Sequence, residues 1–247
     1  MNFDLFIDKI ALDNEIENKE VYPFNIECLK NFKELTLTKK VTFLVGENGT
    51  GKSTLLEAIA LTQGLNPEGG TQNFNFKTTD THSKLYEYLH AYGHGSKPKT
   101  KFFLRAESFY NFSSELQRLA LENGYQELYK AYGGNLHECS HGESFLKLVQ
   151  NRFSDHGLYI LDEPEAALSP SRQMSLLCMI DELAKNGSQF IIATHSPILI
   201  SYREGEILNM NNNFEKVKFE DTDIYQTYKM YLSDPYGMQA RLFDLED

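Results

Sequence analysis

Nine consecutive residues, Gly46-Glu47-Asn48-Gly49-Thr50-Gly51-Lys52-Ser53-Thr54, satisfy the pattern G-x-x-x-x-G-K-[ST]. Glycines at this spacing let backbone N–H groups converge on phosphate oxygens, and the start of the following helix adds partial positive charge. Lys52 is expected to reach the β- and γ-phosphates of a bound nucleotide, and the Ser53 hydroxyl to ligate Mg²⁺. A second set, Asp162-Glu163-Pro164, follows the apolar residues Leu158, Ile160 and Leu161. Asp162 is placed to hold the Mg²⁺ shell, and Glu163 to polarise an attacking water and take its proton. The chemistry implied is Mg²⁺-assisted hydrolysis of ATP, because a carboxylate base favours water over a second substrate as acceptor.

Both flanks of the glycine loop have the character it requires. Val41-Thr42-Phe43-Leu44-Val45 reads as a buried strand and residues 52–61 as the helix after the loop. Residues 3–12 and 26–37 read as strands, and 64–101 as a polar stretch in which Tyr86, Leu89 and Tyr92 are spaced for one face of a short helix. Residues 101–106 form a further strand; helical spacing follows over 109–121, over 125–132 and around Phe145, Leu148 and Val149. Pro170, after Ser169, opens a helix with an apolar stripe at Met174, Leu177, Ile180 and Leu183, closed by Gly187. Residues 190–193 are another buried strand, and a last helix lies around 224–232. Alternating strands and helices predict an α/β fold with a mostly parallel central sheet, an antiparallel β portion and a small helical lobe. One domain over 1–247 is expected, with a nucleotide-binding core from 1–63 and 155–247 and the lobe at about 108–153. No sustained heptad pattern separates Gly51 from Ser140, which excludes a long coiled-coil arm.

Composition narrows the setting. At 247 residues, 41% hydrophobic and 24% charged, the chain has ordinary globular character. A net charge of −11 argues against broad attraction to nucleic acid, although a local basic groove in a dimer remains open. The densest basic stretch, Lys97-Pro98-Lys99-Thr100-Lys101, reads as a solvated loop. Cys28, Cys139 and Cys178 are separated and odd in number, which points to a reducing compartment and a cytoplasmic location. No run approaches the roughly 20 apolar residues of a membrane span, and the first residues lack a basic signal-peptide region, so no membrane insertion is expected.

Together these segments resemble the ABC-type ATPase superfamily and, within it, the SMC/RecF-like branch, notably small stand-alone bacterial AAA-family ATPases. The resemblance implies further roles. Ser140-His141-Gly142-Glu143 stands before a helix and begins 22 residues ahead of Asp162, where the family's signature loop contacts the partner subunit's ATP. It departs from the usual motif, with His141 in place of a glycine and Glu143 in place of a glutamine. The residues alone also fit a helix-capping box. Ala166-Ala167-Leu168-Ser169 occupies the family's D-loop, and His195 the place of its switch histidine, which bonds the γ-phosphate. The family's Q-loop glutamine is missing from Arg105-Ala106-Glu107-Ser108-Phe109. There Glu107 substitutes as a metal contact, Arg105 reaches phosphate, or the two form a surface salt bridge. Tyr22, 24 residues before Gly46, resembles the aromatic that stacks on adenine, or else fills a core.

The family comparison implies a soluble Mg²⁺-dependent ATPase that dimerises head to tail around two ATP molecules. Hydrolysis would reopen the homodimer to regulate an additional protein partner, DNA repair and antiviral defence being candidate settings. The alternatives are an ATP-binding subunit of an ABC transporter and a nucleotide-sensing interaction protein with little turnover. Two other constellations are set aside. His137, Cys139 and His141 lack the second cysteine pair of a zinc site, and Ser196 beside His195 lacks the G-x-S-x-G elbow of a hydrolase.

Overall fold

Three strands, β3 (Val41–Val45), β6 (Gly157–Asp162) and β7 (Gln189–Ala193), are buried at every residue. Apolar runs covered on both faces behave this way. The computed structural model describes residues 4–13, 16, 18–67, 70, 83–94, 97–109, 112–114, 116–118, 132 and 140–243. The expected lobe helices over 109–121 and 125–132 fall largely outside them, as do Cys139 and the side chain of His141.

Among the described residues, six strands form one sheet in the order β5-β6-β7-β3-β8-β9, with β5 at Thr100–Arg105, β8 at Glu206–Asn209 and β9 at Glu215–Val217. Neighbours run parallel until β9, which pairs antiparallel with β8. A second, antiparallel sheet joins β2 (Glu34–Thr36), β1 (Lys9–Leu12) and β4 (Leu89–Tyr92). The chain is thus an α/β protein with a mostly parallel central sheet and an antiparallel portion, as its strand and helix alternation predicts.

Alternate side chains of the parallel strands feed two cores. Leu44, Ile160 and Ile191 pack with Leu55 and Ile59 of α2 (Lys52–Thr62) and with Ile10 of the antiparallel sheet. On the other face, Phe43, Leu161, Phe190 and Ile192 meet Phe145 and Leu148 of α4 (His141–Arg152) and Leu176 and Ile180 of α5 (Pro170–Lys185). Register decides where the chemistry lies. Leu44 and Asp162 both pair with Ala193, so the carboxyl ends of β3, β7 and β6 finish side by side. Open α/β sheets bind ligands at such ends.

Two buried polar side chains fasten segments to this sheet. The Gln189 amide oxygen accepts from the N–H groups of Phe6 and Ile7, and its nitrogen donates to the Ile7 carbonyl. Glu206 accepts from the N–H groups of Thr38 and Lys39, the hydroxyls of Thr38 and Thr42, and the Lys216 ammonium. Burial raises the Glu206 pKa, but the Thr38, Lys216 and Lys39 hydrogen bonds outweigh it and hold it below the ordinary 4.5. A depressed pKa means that the contribution is present at neutral pH and lost as pH falls through the folded value. Glu206→Ala is expected to cost about 3 kcal/mol by stranding these donors. Thermal unfolding at neutral pH checks this; a loss below about 1 kcal/mol would contradict the assignment.

Elsewhere the structure differs from the sequence expectation. Residues 26–37 are not one strand but α1 (Glu27–Lys30) followed by β2. Tyr86 lies in α3 (Leu85–Tyr88), while Leu89 and Tyr92 belong to β4, because backbone pairing with β1 wins over helical spacing. The first strand begins at Lys9. After the short α6 (Pro197–Ile200), the last helix is two, α7 (Asp223–Ser233) and α8 (Pro235–Leu242), neither with a buried side chain. No described helix is long and apolar enough to cross a membrane.

Candidate functional site

The loop between β3 and α2 is shaped by its glycines. Gly49 and Gly51 sit at φ 83° and 91°, in the left-handed region that side chains resist. Gly51 caps α2 there, and a Cβ on it would come 3.1 Å from the Ile26 side chain. Asn48 and Gly49 are exposed on the crest. Around them the loop is braced: the Thr50 hydroxyl donates to the Glu47 carbonyl at 2.8 Å, and Asn211 accepts from the Glu47 N–H at 3.2 Å. Cys28 donates its thiol to the Thr50 carbonyl at 2.7 Å.

Lys52 opens α2 with only 4% of its surface exposed. Its ammonium donates to the carbonyls of Gly46 and Glu47, each at 2.9 Å. Burial lowers its pKa, and the carboxylates of Glu163, Asp162 and Glu165 pull it back. Next to it, the Ser53 hydroxyl donates to Asp162 Oδ1 at 3.1 Å. Thr54 meets the hydroxyl of Tyr22 at 3.2 Å; Tyr22 is 63% exposed, so it fills no core and its ring is open to a ligand.

Asp162 ends β6, almost wholly buried. Its second oxygen lies 3.4 Å from Arg105 Nε. Burial pushes its carboxyl up from 3.8 to about 6 despite Arg105 and the Ser53 hydrogen bond. A raised carboxyl pKa means that stability falls as pH rises from about 4 through 6, and the ionised form costs the fold roughly 3 kcal/mol above that window. Asp162→Asn is therefore expected to stabilise the ligand-free protein by about 2 kcal/mol at pH 7.5, Arg105's lost partner offsetting part of the gain. The gain should vanish near pH 4, and thermal unfolding at the two pH values checks it. A lower Tm at pH 7.5 would contradict it.

Glu163 follows in a left-handed conformation, φ 48° and ψ 50°, which costs a non-glycine residue on the order of 1–2 kcal/mol. Its N–H donates to the Ala193 carbonyl at 2.9 Å, so the end of β7 holds the bend. Its carboxylate lies 3.8 Å from Nε2 of His195, a shielded ring nitrogen with no hydrogen-bond partner among the described residues. Ser53, Arg105, Ala106, Glu107, Asp162, Glu163 and Ala166 line one cavity of about 440 Å³.

Of the other expected site residues, Ser140, Gly142 and Glu143 are not in this cavity's lining, whereas Glu107 is. The Ser140 side chain does not cap α4; its hydroxyl accepts from Arg172 at 3.0 Å, so no capping box forms. Gly142 lies so close to the Ala167 carbonyl that a Cβ would be 2.6 Å away. Glu143 pairs with Lys147 at 3.8 Å. Glu107 lines the cavity's open side, 82% exposed and 3.2 Å from Arg105. Two contributors escaped the sequence reading. Glu165 accepts from the Thr194 hydroxyl and the His195 N–H, tying the loop after Glu163 to the loop carrying His195. Glu57 lies 3.6 Å from Arg105. Glu165 follows Pro164 beside the carboxylate pair and could have been suspected; Glu57 carries no local signal.

A glycine-rich loop opening a helix from a parallel sheet, with an acidic strand end beside it, defines a P-loop nucleotide-binding domain. Comparison with known proteins agrees. Residues 22–133 match the family described as "AAA domain", and residues 144–201 that described as "AAA domain, putative AbiEii toxin, Type IV TA system". The chain is 27% identical over 171 residues to a "Putative ABC transporter ATP-binding protein" of Bacillus thuringiensis subsp. konkukian (strain 97-27), covering 62% of this chain but 29% of that one. It is 25% identical over 154 residues to the "Uncharacterized ABC transporter ATP-binding protein YthP" of Bacillus subtilis (strain 168), covering 62% of this chain and 63% of the relative. The match thus spans under a third of the first relative and under two thirds of the second. Among solved structures, the SMC head domain from Thermotoga maritima aligns with 87% of this chain and 100% of its own, at 16% identity and a TM-score of 0.46. The chain is thus similar to AAA-domain proteins and to ATP-binding proteins of the ABC-type ATPase superfamily.

Proposed function

We propose that this chain is a Mg²⁺-dependent ATP hydrolase of the SMC/RecF-like branch that closes head to tail around two ATP molecules. The observation carrying the reading is the convergence of Lys52, Ser53, Asp162 and Glu163 where β3 and β6 end on either side of β7, with His195 in the loop that follows β7. Loop N–H groups and Lys52 bind the phosphates, and Tyr22 stacks on adenine beside Thr54. The Ser53 hydroxyl and the Asp162 carboxylate, 3.1 Å apart in one cavity, are the hard oxygen donors that suit Mg²⁺, and Glu107 lines the same cavity. When bound, Mg²⁺ supplies charge neutralisation at the β- and γ-phosphates. Glu163 takes the proton of the attacking water, and His195 Nε2 donates to the γ-phosphate.

In this reading the exposed Ser140 and its neighbours His141, Gly142 and Glu143 complete the partner subunit's site. Gly142's contact with Ala167 joins that signature to the D-loop. Residues 1–63 and 155–247 act as the nucleotide core, and about 108–153 as the lobe that meets a further protein. If each site needs two chains, specific activity in steady-state phosphate release rises with protein concentration. Concentration-independent activity would count against the dimer. The similarity to ABC transporter ATP-binding proteins supports a second reading, an energy-coupling subunit of a transporter. Detergent-stable association with a membrane protein would support it.

A further inference from the structure

The cleft contains an arginine that the proposed hydrolysis does not use. Arg105, at the end of β5, is 28% exposed at its side chain and lies among three carboxylates from three parts of the chain. Its Nε is 3.4 Å from Asp162, Nη1 is 3.6 Å from Glu57 on α2, and Nη2 is 3.2 Å from Glu107. Asp162 has both oxygens engaged, one by the Ser53 hydroxyl and the other by this guanidinium. We infer that Arg105 is the cleft's own counter-cation, and that it competes with the Mg²⁺ of Mg·ATP for Asp162. The inference rests on the nucleotide reading above.

The physical argument is one of charge. The planar guanidinium of Arg105 is a cation. A dication held by Ser53 and Asp162 would sit within a few ångströms of it, where like charges repel in a poorly screened cleft. The geometry gives Arg105 somewhere to go. Glu57, 14% exposed, is fixed on α2, while Glu107, 82% exposed, can follow the guanidinium outward. Arg105 can therefore release Asp162 and keep Glu107 as its partner. In the absence of Mg²⁺ the balance reverses. Arg105 then shields the ATP phosphates from Asp162, and its removal leaves a buried carboxylate facing them.

The test compares ATP affinity in excess EDTA with affinity in excess Mg²⁺, read by displacement of trinitrophenyl-ATP. Arg105→Gln should weaken metal-free ATP binding about tenfold while leaving Mg·ATP binding equal or tighter, so the ratio of the two Kd values rises about tenfold. Arg105→Lys should stay near the native ratio. Arg105→Met, similar in length and uncharged, must reproduce the rise if the glutamine variant does not fold. Equal weakening in both buffers would show a structural role and overturn the inference, as would an unchanged or smaller ratio. If the native protein binds ATP in neither buffer, the nucleotide reading falls and this inference with it.

Discussion

Lys52→Ala is expected to weaken ATP binding by roughly 100-fold or more, the cost of removing a pre-placed charged donor from an anion site. The ammonium is already aimed. It is buried, fixed by the Gly46 and Glu47 carbonyls, and inside the loop that would wrap the phosphates. The same loss should not unfold the protein. Burial lowers the Lys52 pKa, so the fold disfavours its charge at neutral pH, and stability rises as pH climbs through the folded value. Alanine removes that burden. Titration with a fluorescent ATP analogue, with thermal unfolding as the control, separates the two effects. A change in affinity below tenfold would contradict the phosphate assignment.

Glu163→Gln should do the opposite. Turnover is expected to fall by about 10²–10⁴, the usual range for loss of a general base, while ATP affinity stays within a few-fold. The amide keeps the shape of the carboxylate but cannot take the water's proton. The strained bend that presents Glu163 is set by the backbone bond to Ala193 and by Pro164, which the substitution leaves in place. Single-turnover phosphate release, measured beside equilibrium binding, checks both halves. Turnover within tenfold of the native rate would remove Glu163 from the reaction.

How much of this was legible from sequence follows from the range of the forces involved. The phosphate loop is local: a strand, six loop residues and a helix are contiguous, and glycine spacing encodes the geometry directly. Asp162 and Glu163 end a run too apolar to be anything but a buried strand. Residues 26–37 misled because Cys28 and Leu29 are apolar for a tertiary reason, packing beneath the P-loop where the Cys28 thiol meets the Thr50 carbonyl. Leu89 and Tyr92 misled because partners at Leu12 and Lys9, far away in the chain, decide their conformation. The cluster of Arg105, Glu57 and Asp162 is assembled from β5, α2 and β6, so no local spacing could reveal it. Glu165 shows the intermediate case: its type and place were visible, but its bonds to the His195 loop depend on β7 lying beside β6.

Exposed side chains also differ in meaning across the molecule. Tyr22 is exposed next to Thr54, at the mouth of the nucleotide loop. Tyr228 and Leu232 are exposed on α7, Tyr236 on α8 and Phe243 just after it, and none has a described hydrogen bond to the cleft residues. Only the first group bears on the chemistry proposed.

The most direct test of ATP-driven closure is light-scattering mass of Glu163→Gln with and without Mg·ATP. The account predicts a monomer of 28.4 kDa that doubles in mass only when Mg·ATP is present. A protein that binds Mg·ATP and stays monomeric would contradict it.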